Sequence, residues 1–74
     1  MTGTSPRSRS LALRRSAHLA AEIGAWARAR SDALWAIAAV EGLDGHDTDE
    51  RHARDLLAWI DEMAARAAGG EHGE

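Results

Sequence analysis

The chain of 74 residues contains no cysteine, no lysine, no phenylalanine and no tyrosine, and it has one proline and one valine. Without cysteine there is neither a disulfide framework nor a thiolate zinc site, as is usual in a reducing compartment. The single proline, Pro6, leaves the remaining chain without a helix breaker of that kind. Since alternation of apolar and polar residues is nowhere sustained, strands are not predicted.

Alanine supplies most of the apolar residues, which make up 45% of the chain. The large ones are few: three tryptophans, two methionines and some leucines and isoleucines. Alanine favours helix but buries little area, so a chain of this length is marginal as an isolated domain. We therefore predict one small all-α domain that is stabilised by self-association.

The formal net charge of −3 conceals two halves of opposite sign. Residues 1–31 carry six arginines and one glutamate, a net +5, whereas residues 32–74 carry three arginines and eleven acidic residues, a net −8. This asymmetry predicts either charge pairing between the halves or a basic arm that meets an outside partner. Arginine without lysine, together with much alanine and glycine, is typical of GC-rich bacterial coding.

No membrane partner is expected, because the longest charge-free run in the expected helices, residues 33–40, is far shorter than the roughly 20 residues of a spanning helix. The serine- and arginine-rich residues 1–21 have the composition of a targeting segment. However, Glu22 comes before any apolar segment of a signal sequence. A cytoplasmic location is therefore predicted.

A heptad stripe organises the middle of the chain. Its seven members recur at alternating steps of four and three residues, and all but the arginine are apolar: Leu19, Ile23, Trp26, Arg30, Ala33, Ile37 and Val40. This spacing places them along one side of an α-helix. We predict a first helix over about residues 11–41, capped by Ser10 or alternatively by Ser5, after a disordered basic arm over residues 1–10.

The first helix is expected to end at Gly42, in a left-handed conformation, with Leu43 folding back as in a Schellman motif. Asp47 is then the predicted N-cap of a second helix, and Glu50 is its capping-box partner. The predicted boundaries are a turn over residues 42–47, helix 2 over about residues 48–68 and a disordered tail over residues 70–74.

The short connection between amphipathic helices predicts an antiparallel helical hairpin, which dimerises into a four-helix bundle. Facing residues of the hairpin have numbers that add to about 89 when the turn is centred on residues 44 and 45. Helix 2 ends near Gly69, which would face Ala20. Leu11 and Leu13 then have no partner within the chain, so we expect them to fray or to pack on another subunit.

Two tryptophans indicate the same interface. Trp35 lies opposite the heptad stripe and Trp59 lies off the centre of the apolar side of helix 2, and tryptophan is enriched at interfaces. The alternative is that each lies half-exposed over alanines. The predicted self-association or partner-interface residues are Leu11, Leu13, Trp26, Trp35, Trp59 and Met63.

Arg30 is the charged member of the heptad stripe. The hairpin places it near Asp61, and a polar residue in a helix seam commonly sets register. One hypothesis is an Arg30–Asp61 ion pair that sets the register. The other is that the guanidinium of Arg30 extends to water while its stem packs against the neighbouring helix.

No cofactor, metal or catalytic site is predicted. Asp49 with His52, and His18 with Glu22, have the spacing of metal ligands on a helix, but the two pairs lie far apart in the hairpin and the stripes are aliphatic. No Ser-His-Asp or Cys-His set and no glycine-rich phosphate loop is present. The chain is therefore not expected to be an enzyme.

The predicted function is a small oligomerising protein-interaction module, that is, an adaptor, regulatory or antitoxin-like protein whose partner is itself or another protein. One alternative is a nucleic-acid-binding regulator that uses residues 1–15, although the acidic turn is unlike that of a helix-turn-helix. Another is an accessory subunit of an enzyme complex. The predicted contacts to nucleic acid or to an acidic partner are Arg7, Arg9, Arg14, Arg15 and Arg28.

Overall fold

The computed structural model describes residues 5–70, and this part of the chain is all helical, as predicted. Three helices follow one another: α1 over Pro6–Glu22, α2 over Trp26–Val40 and α3 over Asp47–Gly70. Three helices therefore stand where two were predicted, because the expected first helix is divided into α1 and α2.

α1 begins earlier than predicted. Ser5 is its N-cap: the Ser5 Oγ accepts a hydrogen bond from the Ser8 amide at 3.1 Å, and Pro6 fills the first helical position, where no amide hydrogen is needed. Ser10 is not a cap but lies fully buried within α1, and its hydroxyl donates to the Ala36 carbonyl at 3.0 Å. The prediction of a disordered arm is therefore wrong for residues 6–10, while residues 1–4 lie outside the described residues.

The chain reverses direction at Gly24, which has a φ of +78°. The Gly24 amide donates to the Ala21 carbonyl at 3.0 Å, and the Ala25 amide donates to the Ala20 carbonyl at 2.8 Å. These two bonds are those of a Schellman motif, whose left-handed position favours glycine because it has no Cβ. The heptad stripe runs in phase through this turn, and for that reason periodicity alone predicted a single helix over residues 11–41, which is wrong.

α2 ends close to Gly42, but not through the predicted Schellman motif. Glu41 has φ −59° and ψ 127°, and Gly42 has a φ of +76°. The Leu43 amide donates to the Val40 carbonyl at 3.1 Å. These angles and this bond are those of a type II turn, whose third residue needs a positive φ.

α3 starts one residue earlier than predicted, because Asp47 lies in its first turn instead of capping it. Asp47, Asp49 and Glu50 all lie in that turn, where carboxylates interact favourably with the positive end of the helix dipole. The helix continues to Gly70, which the sequence placed in the tail, and residues 71–74 lie outside the described residues.

α2 lies between the other two helices and runs antiparallel to both. Towards α1, the Ser16 hydroxyl donates to Asp32 Oδ2 at 2.7 Å, in addition to the bond from Ser10. Towards α3, Ile37 and Ala53 belong to one buried cluster. α1 and α3 are consequently parallel to each other, and they contact each other much less than each contacts α2.

The core consists mainly of alanine. Among residues 5–69, seven of the ten buried hydrophobic residues are alanines, and the others are Ile37, Val40 and Ile60. Small side chains allow the helix backbones to approach closely, but each buries little apolar area. The core of the described residues therefore supplies limited stabilisation for its size.

The heptad stripe is buried only in its second half. Ala33, Ile37 and Val40 are buried, whereas Leu19 is 63% exposed and Ile23 is 81% exposed. The physical reason is the turn at Gly24. Once α1 folds back, it packs through a different side, which carries Ala17, Ala20 and Ala21.

Candidate interaction surface

Seven of the fifteen large apolar side chains in residues 5–70 are exposed. Trp35 is 63% exposed, and the exposed large hydrophobic residues also include Leu11, Leu19, Ile23, Leu34, Leu43 and Trp59. Single exposed apolar residues are normal on a soluble domain. Here, however, alanines make up most of the core while seven larger apolar side chains are exposed, so the exposed apolar residues are numerous for so small a domain.

Three of these side chains, Leu19, Ile23 and Trp35, lie along α1 and α2 on the side turned away from α3. We define the α1/α2 face as the accessible side of these helices that is turned away from α3: Arg9, Ala12 (one heptad before Leu19) and Leu19 of α1 and its C-cap Ile23, with Arg28, Trp35, Ala38 and Ala39 of α2. On α1, the contacts with α3 come from Arg7, Arg14 and His18, which lie on the other side of the helix.

Two shallow depressions lie between the two helices along this face, and we refer to them together as the groove. Near one end it is lined by Arg9, Leu13 and Trp35, with Ala38 and Ala39 as its floor. Towards the other end, Leu19, Ile23 and Arg28 line it together with Ser16, Ala20 and Glu22. The groove is therefore mostly apolar along its length, as recognition grooves for helices are.

The α1/α2 face is close to neutral. The Arg28 Nε lies 3.7 Å from Asp32 Oδ2, and the same carboxylate accepts the hydrogen bond from Ser16. Within residues 5–70, Arg9 forms no ion pair. With the Arg28–Asp32 pair balanced, the charges of Arg9 and of Glu22, which also lines the groove, leave the face without net charge.

Two of the arginines predicted to contact nucleic acid or an acidic partner form ion pairs within the chain. Arg7 Nε lies 2.9 Å from Asp49 Oδ2, and Arg14 Nη2 lies 3.5 Å from Asp49 Oδ1. The hydrogen bond from Arg7, helped by His46 and by the charges of Arg7 and Arg14, outweighs burial and lowers the pKa of Asp49 below its ordinary value of 3.8. Arg7 and Arg14 therefore join α1 to α3, while Arg15 forms no ion pair within the described part of the chain.

Arg30 and Asp61 lie together in the structure. The Arg30 Nε donates to Asp61 Oδ1 at 3.0 Å between α2 and α3, with both side chains about half exposed. An exposed pair of this kind contributes about 0–1 kcal/mol. That the pair sets the register of the helices stays a prediction.

The structure does not gather the six predicted interface residues on one surface. Trp35 and Leu13 line the same groove, but Leu13 is half-buried against the cluster of Ala36, Ile37 and Ala53, so the prediction that it lacks a partner within the chain is wrong. Trp26 packs against the alanine core. On the α1/α3 side, Leu11 is exposed, Met63 is half-buried, and the Trp59 ring stacks on His18 with centroids 5.4 Å apart.

Leu19 and Ile23 are the large members of the α1/α2 face that sequence reasoning missed, because it assigned both to the buried stripe. The signal that would have identified them is Gly24, read as the end of a helix. With the chain reversed there, Ala17 and Ala21 become the packing side and the two large residues turn outward.

Two further findings concern metal binding and membrane spanning by the described residues. Residues 5–70 contain no group of three or more histidine, aspartate or glutamate side chains arranged to hold a metal ion. Over the same residues, each helix is too short or too polar to span a bilayer.

Comparisons of this chain with protein-family models, with curated proteins and with solved structures found no match. A proposal for its function therefore depends on the chemistry of its own residues.

Proposed function

We propose that this chain is a small oligomerising protein-interaction module, of adaptor, regulatory or antitoxin-like type, that acts through the α1/α2 face and has no catalytic activity of its own. One observation carries the proposal: alanines form the core while Leu19, Ile23 and Trp35 are more than half exposed on a single face. Covering such a face removes apolar area from water, which favours association by about 25 cal/mol per Å².

The dimeric four-helix bundle expected from the sequence takes a revised form in this proposal. Each chain supplies three helices, so a bundle of four arises when α1 and α2 of one copy meet the same pair of another. α3 then covers the outer side of each pair. Self-association or docking on another protein, including an enzyme of which this chain is an accessory subunit, would use the same face.

The alternative of nucleic-acid binding has less support. Arg7 and Arg14, two of its five predicted contacts, are engaged by Asp49, and Arg28 lies beside Asp32. Phosphate binding depends on the number of cations that are free to replace counterions. Arg9 and Arg15 alone would give weak retention with a shallow salt dependence, because the slope scales with the number of phosphates neutralised.

Site-specific photo-crosslinking in the producing cells tests the proposal. Trp35 is replaced by p-benzoylphenylalanine, and the matched control carries the same residue in place of Ala58, which is exposed on α3. We expect a discrete protein adduct from position 35 and none from position 58. If irradiation at position 35 yields no protein adduct, the proposed function is wrong; an adduct with nucleic acid would instead favour the alternative.

A further inference from the structure

We infer that the occupant of the α1/α2 face is a second copy of this chain, related by a twofold axis parallel to the helices. This inference rests on the proposed function and specifies its partner. In such a dimer, α1 of each copy lies over α2 of the other, and the four helices form an antiparallel bundle.

The hydrogen bonds between α1 and α2 determine which residues share a height along the bundle. The bonded pairs Ser10–Ala36 and Ser16–Asp32 have residue numbers that add to 46 and 48. Residues of α1 and α2 whose numbers add to about 47 therefore lie at the same height, and Ala12 is level with Trp35. A twofold axis parallel to the helices preserves these heights, so each Trp35 ring meets the second copy's Ala12.

The contact between Trp35 and the second copy's Ala12 matches the largest side chain of the face with a small one. Complementarity of this kind, with large residues opposite small ones, is what interdigitated helix packing requires. It occurs twice in the dimer by symmetry, and it needs no rearrangement because Trp35 is already exposed and Ala12 is exposed on α1.

The charges of the face also agree with a second copy. Arg9 lies level with Ala38, so each Arg9 would lie over an alanine of the other copy, and the two Arg9 side chains are on diagonal helices. The Arg28–Asp32 pair balances itself within each chain. A face with so little net charge has no strong electrostatic preference for an acidic partner or for nucleic acid, and the like charges that a second copy brings, the two Arg9 groups, are separated by their positions on diagonal helices.

The available area is sufficient. The accessible surface of the chain is 4925 Å². A standard interface buries about 800 Å² per partner, or roughly one sixth of this surface. The α1/α2 face is one of three lateral sides of a three-helix body, so a dimer of standard size fits on it.

Sedimentation equilibrium across about a hundredfold dilution, with circular dichroism on the same samples, is the first test. We expect a monomer–dimer equilibrium in the wild type. Trp35→Gln should raise the dissociation constant on the order of thirtyfold, as loss of a tryptophan hot spot does. Leu34→Gln is the matched control: it makes the same new side chain at the adjacent, exposed position turned away from the face, and should leave the dissociation constant within about threefold.

Cysteine crosslinking tests the arrangement, and it is clean because the chain has no cysteine of its own. Chains with Ala12→Cys are mixed with chains with Ala38→Cys and treated with a short bis-maleimide. We expect the mixed covalent dimer to dominate. Ala12→Cys mixed with Ala58→Cys is the control and should give only background.

The outcomes separate this inference from the proposed function. A monomer at all concentrations, equal dissociation constants for Trp35→Gln and the wild type, or no mixed Ala12–Ala38 product would each overturn the second copy as occupant. In those cases the oligomerising part of the proposed function would fail as well, while an adduct from position 35 to a different protein would still support an interaction module. Absence of any adduct at that position would remove the proposed function itself.

Discussion

Replacing Gly24 with alanine decides between a turn and a continuous helix by the sign of its effect on stability. At φ +78° a Cβ is disfavoured by about 1–2 kcal/mol. The added methyl has nothing within 4 Å, so no steric overlap adds to this strain. Alanine also restricts the unfolded chain, which offsets about 0.4–1 kcal/mol. We therefore expect Gly24→Ala to destabilise the fold by about 1 kcal/mol.

For a domain of this size, a loss of about 1 kcal/mol lowers Tm by roughly 4–8 °C. The assay is thermal unfolding followed by circular dichroism at one fixed protein concentration. Gly24→Asn should lose less than Gly24→Ala, because asparagine tolerates the left-handed conformation better than alanine. Gly69→Ala is the control inside α3, where the glycine has no positive φ; there alanine should raise Tm slightly or leave it unchanged.

A rise in Tm for Gly24→Ala would refute the turn. In a continuous helix, alanine is favoured over glycine by about 1 kcal/mol, so the shift would have the opposite sign and a similar size. The chain would then form the single long helix that its heptad stripe predicts.

Two more predictions concern the core and the α1–α3 contact. Ile60→Ala removes the largest fully buried side chain and should lower the free energy of unfolding, measured in urea, by about 2–5 kcal/mol. The same change at the exposed Ile23 should alter it by no more than about 0.5 kcal/mol at low protein concentration. Similar losses at both positions would contradict the assigned burial. Asp49→Asn should make the free energy of unfolding depend less on pH in the acid range. Arg7 and His46 lower the pKa of Asp49 in the folded state, so the stabilisation by its carboxylate is present above the ordinary pKa of 3.8 and is lost as the pH falls through the lower folded pKa. Unfolding free energies measured from neutral to acid pH check this, and parallel profiles for the variant and the wild type would contradict it.

The features that local rules govern were predictable from the sequence. Asp61 was matched to Arg30 because loop length and helical period together determine the register of α2 on α3, and the two side chains lie 3.0 Å apart. Helix α3 was located within two residues at each end, since its glycines and its acidic first turn are strong local signals.

The features that depend on the reversal at Gly24 were not predictable in the same way. An isolated glycine costs a helix only about 1 kcal/mol, and the stripe stays in phase across it, so nothing local forces a break. The break is favoured by the second neighbour that α2 gains, which buries Ala29 and Ala36. Asp49 was not matched to Arg7, because this contact, across 42 positions, exists only after α1 has folded back.

Because the core is made of alanines, the positions least tolerant of substitution are small residues and not large apolar ones. At Ala17, Ala29 and Ala33 the side chains are completely inaccessible, and any larger residue acts as a wedge that forces two backbones apart. Positions such as Leu11 and Leu43, although larger and apolar, border open space and accept many replacements. A saturation library selected for folding alone would therefore retain the smallest residues of this chain most strictly, and homologues would be recognised more readily by their spacing of alanines than by their leucines and isoleucines.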